Sequence, residues 1–241
     1  MIKLPKLPIR MLDFIAQFAK LITGTRGVWK GTIPSDKQRI YFANHTSNLD
    51  TIIIWSSLPP HLRDKTRPVA AKDYWDKPGI RRQIATKELN VVLIERNREN
   101  RSEDPLNPLR KALDEGSSLI IFPEGKRNSD VVPDEFKSGI YKLYQEYPNV
   151  EFIPVYLENV ATTFPKGAFL PIPINCKAFF GEPLKFDEDA YTENPKVNLV
   201  GFLNHARDEV IKLIPYHIKN NMINFESKVI NGRKKLTETK E

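Results

Sequence analysis

The sequence predicts an α/β fold: a central, mostly parallel or mixed sheet flanked by helices, with an N-terminal amphipathic helix and a C-terminal helical extension. Three observations carry this. Short apolar runs without polar alternation recur at 39–43, 90–94, 118–122 and 152–157, the pattern of strands covered on both faces. Between them lie segments of helical period, such as 108–115, ended by Gly116, and 134–147, with Phe136, Ile140, Leu143 and Tyr144 on one side. At the carboxyl end, 197–214 keeps an apolar helical pattern until Pro215 ends or kinks it.

The elements follow in order. Lys3, Lys6 and Arg10 precede Met11, Leu12, Phe14, Ile15, Phe18, Ala19, Leu21 and Ile22, with Asp13, Gln17 and Lys20 on the opposite face and Gly24 as a stop. Basic flanks and one apolar face suit a helix lying in a membrane interface, and equally a helix packed on the domain. Asp13 and Gln17 interrupt the apolar stretch, which argues against a signal peptide. After the first strand, the helix that follows Asp50 through Thr51 to Trp55 ends at Leu58-Pro59-Pro60, beside an exposed loop residue, His61. A basic run follows: Arg63, Lys65, Arg67, Lys72, Lys77, Arg81, Arg82 and Lys87. It includes a short strand at 69–71. Thr163 to Pro173 reads as a proline-rich loop that lines a cleft or bridges strands, and 177–181 as a last strand. His205 reads as a surface residue and His217 as one without an evident partner. The expected division is 1–23 for the amphipathic helix, 24–185 for the main domain, and 186–241 for a helical extension with a mobile tail.

Composition bounds the rest. The chain has 241 residues, 40% hydrophobic, enough for a sizeable core. Its net charge of +7 suits phosphate, anionic lipid or nucleic acid. Helix-turn-helix, zinc-ligand and aromatic nucleic-acid patterns are missing, so nucleic acid ranks last. Cys176 is the single cysteine, which excludes an intrachain disulfide and suits a reducing compartment. No apolar run approaches the roughly 20 residues of a membrane-spanning helix.

The chemistry concentrates in Asn44-His45-Thr46-Ser47-Asn48-Leu49-Asp50, between the first strand and the helix after it. On one helix, His45 and Asp50 would lie roughly 140° apart, a poor geometry for contact. On a strand-to-helix turn, the carboxylate can fold back onto the imidazole, fixing its tautomer and leaving one nitrogen to take a proton. Thr46, Ser47 and Asn48 are N-cap candidates. The strand at 90–94 ends in Glu95-Arg96, and a guanidinium at a strand's carboxyl end can hold phosphate oxygens in pairs, which favours Arg96 over Arg98 and Arg101. The strand at 118–122 stops at Pro123-Glu124-Gly125-Lys126-Arg127-Asn128, a sharp turn that sets Glu124, Lys126 and Arg127 at the sheet's end.

Asn44-His45-x4-Asp50 followed by Phe122-Pro123-Glu124-Gly125-x-Arg127 resembles the NHxxxxD and FPEGTR-type motifs of the glycerolipid acyltransferase family, which includes the lysophosphatidic acid acyltransferases. Leu93-Ile94-Glu95-Arg96, Phe136-Lys137-Ser138-Gly139 and Phe152-Ile153-Pro154-Val155 resemble three further segments of that family, in order, and the resemblance spans about residues 24 to 183. Two positions depart: Lys126 stands where the family often has threonine, and Glu95 where it often has aspartate. The resemblance implies transfer of a fatty acyl group from acyl-CoA or acyl-carrier protein to a lysophospholipid hydroxyl, foremost 1-acyl-glycerol-3-phosphate, giving phosphatidic acid in phospholipid biosynthesis. On it, His45 is the base, oriented by Asp50. Arg96, Lys126 and Arg127 hold the acceptor's phosphate, and Glu124 and Gly125 shape that pocket. The implied enzyme uses no metal or cofactor beyond its acyl donor and works peripherally on the cytoplasmic face of a membrane. A catalytically silent lipid-binding or scaffold protein of the same fold is the alternative, against which the intact His45 and Asp50 argue.

Overall fold

The computed structural model describes residues 17, 20–21, 24–72, 90–95, 104–128, 130–163, 174–187 and 194–221. Arg96, Arg98 and Arg101 lie outside the described residues, as do most of the expected N-terminal helix, Lys77 to Lys87 of the basic run, the expected proline-rich loop beyond Thr163, and the expected tail after 221.

In chain order the elements are β1 (Arg26–Trp29), β2 (Arg39–Ala43), α1 (Asp50–Ser57), α2 (Pro60–Arg63), β3 (Thr66–Ala71), β4 (Val92–Ile94), α3 (Asn107–Asp114), β5 (Ser118–Ile121), α4 (Gly139–Glu146), β6 (Glu151–Glu158), α5 (Val160–Thr163), β7 (Lys177–Phe180), α6 (Pro195–Lys212) and α7 (Tyr216–Asn221). The strands form one sheet in the order β1-β7-β6-β2-β5-β3-β4. From β6 to β4 every pairing is parallel. β7 runs antiparallel to β6, and β1 is parallel to β7, so the sheet is mixed. Four of the strands lie within a residue or two of the apolar runs that predict them, and β3 contains the expected 69–71 stretch but begins three residues earlier, at Thr66. β7 matches the expected last strand, whereas β1 carries only two apolar residues in four and gives no comparable signal.

β2 sits in the middle, with Phe42 opposite Ile121 of β5 on one side and Ala43 opposite Val155 of β6 on the other. All five of its residues are buried. Its side chains alternate between two cores. Ile40 and Phe42 face the layer containing α3, α4 and α6, while Tyr41 and Ala43 face Ile53 and Ile54 of α1. α6 is anchored in the first layer by Phe202, whose ring lies 5.0 Å from that of Tyr141 and 4.8 Å from that of Tyr144. The carboxyl ends of β2, β5 and β6 thereby meet along one edge, the place where parallel sheets gather ligands.

Five local expectations are corrected. α4 begins at Gly139, not Asp134, because the backbone N–H groups of Asp134 and Lys137 donate to the Glu124 carboxylate and the Pro123 carbonyl instead of entering a helix. The N-cap of α1 is Leu49, with no side-chain capping bond, so none of Thr46, Ser47 and Asn48 has that role. His61 belongs to the short α2, though it is exposed as expected. His205 is half-buried, its Nε2 lying 2.9 Å from the Lys185 carbonyl and its ring against Phe186. His217 also has a partner: its Nε2 lies 2.8 Å from Oε1 of the buried Glu158.

Candidate active site

The turn between β2 and α1 is built on Asp50. The first residue of α1, it is completely buried. Its Oδ2 accepts from the backbone N–H groups of Thr46, at 2.5 Å, and Ser47, at 2.8 Å, while Oδ1 accepts from the Thr46 hydroxyl at 3.1 Å. The loop thus wraps its own N–H groups around the carboxylate, and the N-terminal end of a helix favours a negative charge there. The bond left at Oδ2 is to His45 Nδ1, at 2.8 Å. A carboxylate only accepts, so the hydrogen of this bond sits on Nδ1 and the Nε2 lone pair is left open. Nε2 has no protein partner among the described residues, and the side chain is 24% exposed, enough for a ligand to reach it. The imidazole stacks on Phe122, ring centroids 4.3 Å apart and 20° from parallel, which fixes its plane.

The backbone of His45 is held just as tightly. Its N–H donates to Glu124 Oε1 at 2.7 Å, and its carbonyl accepts from the Asn128 N–H at 2.7 Å. Asn44 pins the same loop to β6: its Oδ1 accepts from the Leu157 N–H at 2.7 Å and its Nδ2 donates to the Leu157 carbonyl at 3.2 Å. Glu124 is buried, and its second oxygen accepts from the Asp134 N–H at 2.8 Å. Burial pushes its carboxyl above the ordinary glutamate range, opposed by those two N–H donors. Gly125 makes the turn at φ +70°, a left-handed conformation natural to glycine, with its N–H donating to the Phe122 carbonyl at 3.0 Å.

The structure therefore joins His45, Asp50, Glu124 and Gly125 into one bonded unit. The cations of the turn project outward from it. Arg127 is exposed, and its Nη1 donates to Asn48 Oδ1 at 3.1 Å, which holds the guanidinium beside the His45 loop. Lys126 points to Asp134, Nζ to Oδ2 3.0 Å, a pairing that raises its pKa above the ordinary lysine value. Arg96 lies outside the described residues. Asn44, Phe122 and Asp134 carry much of the geometry without having been singled out for it. Asn44 and Phe122 stand inside the quoted motifs, while nothing in the sequence marks Asp134. As a chemical arrangement, the site offers an open imidazole nitrogen backed by a buried carboxylate, at a strand-end edge lined with positive charge.

An acyltransferase family model matches residues 29–158, more than half of the chain, and the chain belongs to that family. Among relatives, a 1-acyl-sn-glycerol-3-phosphate acyltransferase of Chlamydomonas reinhardtii is 28% identical over 134 residues, 56% of this chain and 38% of that protein. One from Limnanthes alba is 27% identical over 150 residues, 61% of this chain and 51% of that protein. The chain thus spans between about a third and a half of the length of these curated relatives. The crystal structure of the 1-acyl-sn-glycerophosphate acyltransferase PlsC from Thermotoga maritima superposes with a TM-score of 0.61 at 20% identity, covering 84% of this chain and 78% of that one, and so shares the fold.

Proposed function

We propose that the protein transfers a fatty acyl group from a thioester, acyl-CoA or acyl-carrier protein, to the free hydroxyl of 1-acyl-glycerol-3-phosphate, forming phosphatidic acid. The observation that carries this reading is the His45–Asp50 pair, with Nδ1 bonded at 2.8 Å and Nε2 open. Family membership and the names of the relatives support the substrate class.

The step follows from the geometry. An alcohol is a weak nucleophile near neutral pH. As its oxygen attacks the thioester carbonyl carbon, His45 Nε2 takes its proton, and Asp50 stabilises the imidazolium that forms. Collapse of the tetrahedral intermediate breaks the carbon–sulfur bond, and the imidazolium returns the proton to the departing sulfur. The products are an ester and a free thiol, with no acyl-enzyme on the way. Arg127, with Arg96, binds the acceptor's phosphate and so holds its hydroxyl toward His45, whereas the Lys126 ammonium is taken up by the Asp134 carboxylate at 3.0 Å. Glu124 serves by fixing the His45 backbone, and Gly125 by letting the chain turn. Residues 24–185 form the catalytic unit, and the amphipathic segment at 1–23 brings it to the cytoplasmic face of a membrane. Among the described residues, no helix is long and apolar enough to cross one.

The test is a panel of donors and acceptors with the purified protein, following thiol release and reading the products by mass spectrometry. The expected result is phosphatidic acid that depends on both substrates. Thiol release indifferent to the lysophospholipid, or binding without turnover, contradicts the reading, the latter in favour of a silent lipid-binding protein.

A further inference from the structure

One cation at the Glu124–Arg127 turn has no role in the site so far. The side chain of Lys137 lies across Gly125: a Cβ added there would come 2.6 Å from Lys137 Cε, 3.1 Å from Cδ and 3.6 Å from Nζ. The Lys137 backbone is fixed to the same turn, its N–H donating to the Pro123 carbonyl at 3.0 Å. The stem therefore occupies the space that a side chain at 125 would fill, and it holds the ammonium above bare backbone. This is a second reason for glycine at 125, beyond its φ of +70°.

The charges around the turn differ in how they are engaged. Lys126 is paired with the Asp134 carboxylate, and Arg127 is held by the neutral side-chain oxygen of Asn48. Lys137 Nζ has no ion pair or hydrogen bond among the described residues. The glycine that its stem covers directly follows Glu124, whose carboxylate holds the His45 backbone N–H at 2.7 Å. The exposed Lys137 ammonium, on a stem packed over Gly125 and without a counter-ion, and Arg127, two residues further along the same turn and also without a carboxylate partner among the described residues, make a site arranged for an incoming anion.

We propose that Lys137 is a positioning residue for the acyl acceptor: with Arg127 it receives the acceptor's phosphate monoester, while Lys126, neutralised by Asp134, contributes little. This rests on the acyltransferase reading and names which cations of that site do the binding.

The experiment compares the full-length protein with Lys137→Met, Lys137→Arg and Lys126→Met. Methionine keeps an unbranched stem over Gly125 and removes the charge. Binding of a short-chain, water-soluble lysophosphatidic acid is measured by calorimetry, and turnover with the same acceptor is followed in parallel. The expected result is that Lys137→Met weakens binding and raises KM by about tenfold or more, with kcat at saturation and the unfolding midpoint near wild type. Lys137→Arg should recover most of the loss, and Lys126→Met should change KM by less than about threefold. Wild-type binding and KM in Lys137→Met overturn the assignment. So does a fall in Tm with binding unchanged, which marks a brace. If wild type binds the probe but never acylates it, the acyltransferase reading fails while the affinity comparison still decides the role of Lys137.

Discussion

Asp50 and Glu124 are both buried acids, yet their surroundings differ. Asp50 accepts four hydrogen bonds, three of them at one oxygen, and one of those comes from His45. Such bonds offset the several kcal/mol of burying a carboxylate. Glu124 accepts two, both from backbone N–H groups of the loops it joins. Glu124→Gln keeps one acceptor and turns an amino group toward the other N–H. It should lower stability by about 1–3 kcal/mol, measured by denaturant unfolding. The sign of its pH dependence follows from burial, which raises the native carboxyl above its unfolded value. The favourable contribution of protonated Glu124 is complete below the unfolded glutamate value and is lost as pH rises through the higher native one. The gap between wild type and Glu124→Gln should therefore be wider near pH 4 than near pH 7. A gap that grows with pH would contradict this.

At the scale of elements, the active loop is held between strand ends. Asn44 extends β2 by one side-chain step and pairs with both backbone groups of Leu157 on β6. Asn44→Ala strands a buried N–H and a buried C=O and should cost about 2–4 kcal/mol. A loss under about 1 kcal/mol in a denaturant titration would show that water replaces the amide there. The same elements mark how far the sequence is legible. Buried strands such as 118–122 declare themselves through uninterrupted apolar residues, and the turn chemistry at Asp50 through its spacing from His45. The start of α4 does not, because it depends on Glu124 and Pro123 drawing away the N–H groups of Asp134 and Lys137, contacts more than nine residues distant in the chain. Local period cannot see that competition. Nor can it see Lys126 turning to Asp134, or Arg127 to Asn48 across 79 residues.

For the whole molecule, the mixed sheet collects its chemistry at one edge, where β2, β5 and β6 end. The overall charge of +7 adds a long-range attraction for anionic surfaces. If the protein works on a lipid acceptor at a membrane, it should sediment with vesicles of anionic phospholipid at low salt, and binding should fall severalfold as ionic strength rises from about 0.05 to 0.5 M, as screening shortens the reach of each charge. Equal binding to neutral vesicles at both salts would assign the interaction to apolar insertion alone. That distribution of charge is visible in composition, whereas the meeting of the strand ends is visible only in the fold.

The most direct test of the central claim is the turnover of His45→Ala with saturating acyl donor and lysophosphatidic acid, scored as phosphatidic acid by mass spectrometry. The ring of His45 is partly exposed, stacks on Phe122 and gives one of the four hydrogen bonds at Asp50, so the unfolding midpoint should fall by no more than about 10 °C from wild type. Turnover should fall at least 10²–10⁴-fold, roughly the contribution of a positioned base. A folded His45→Ala variant that makes phosphatidic acid at a near wild-type rate would contradict the assignment of His45 as the base.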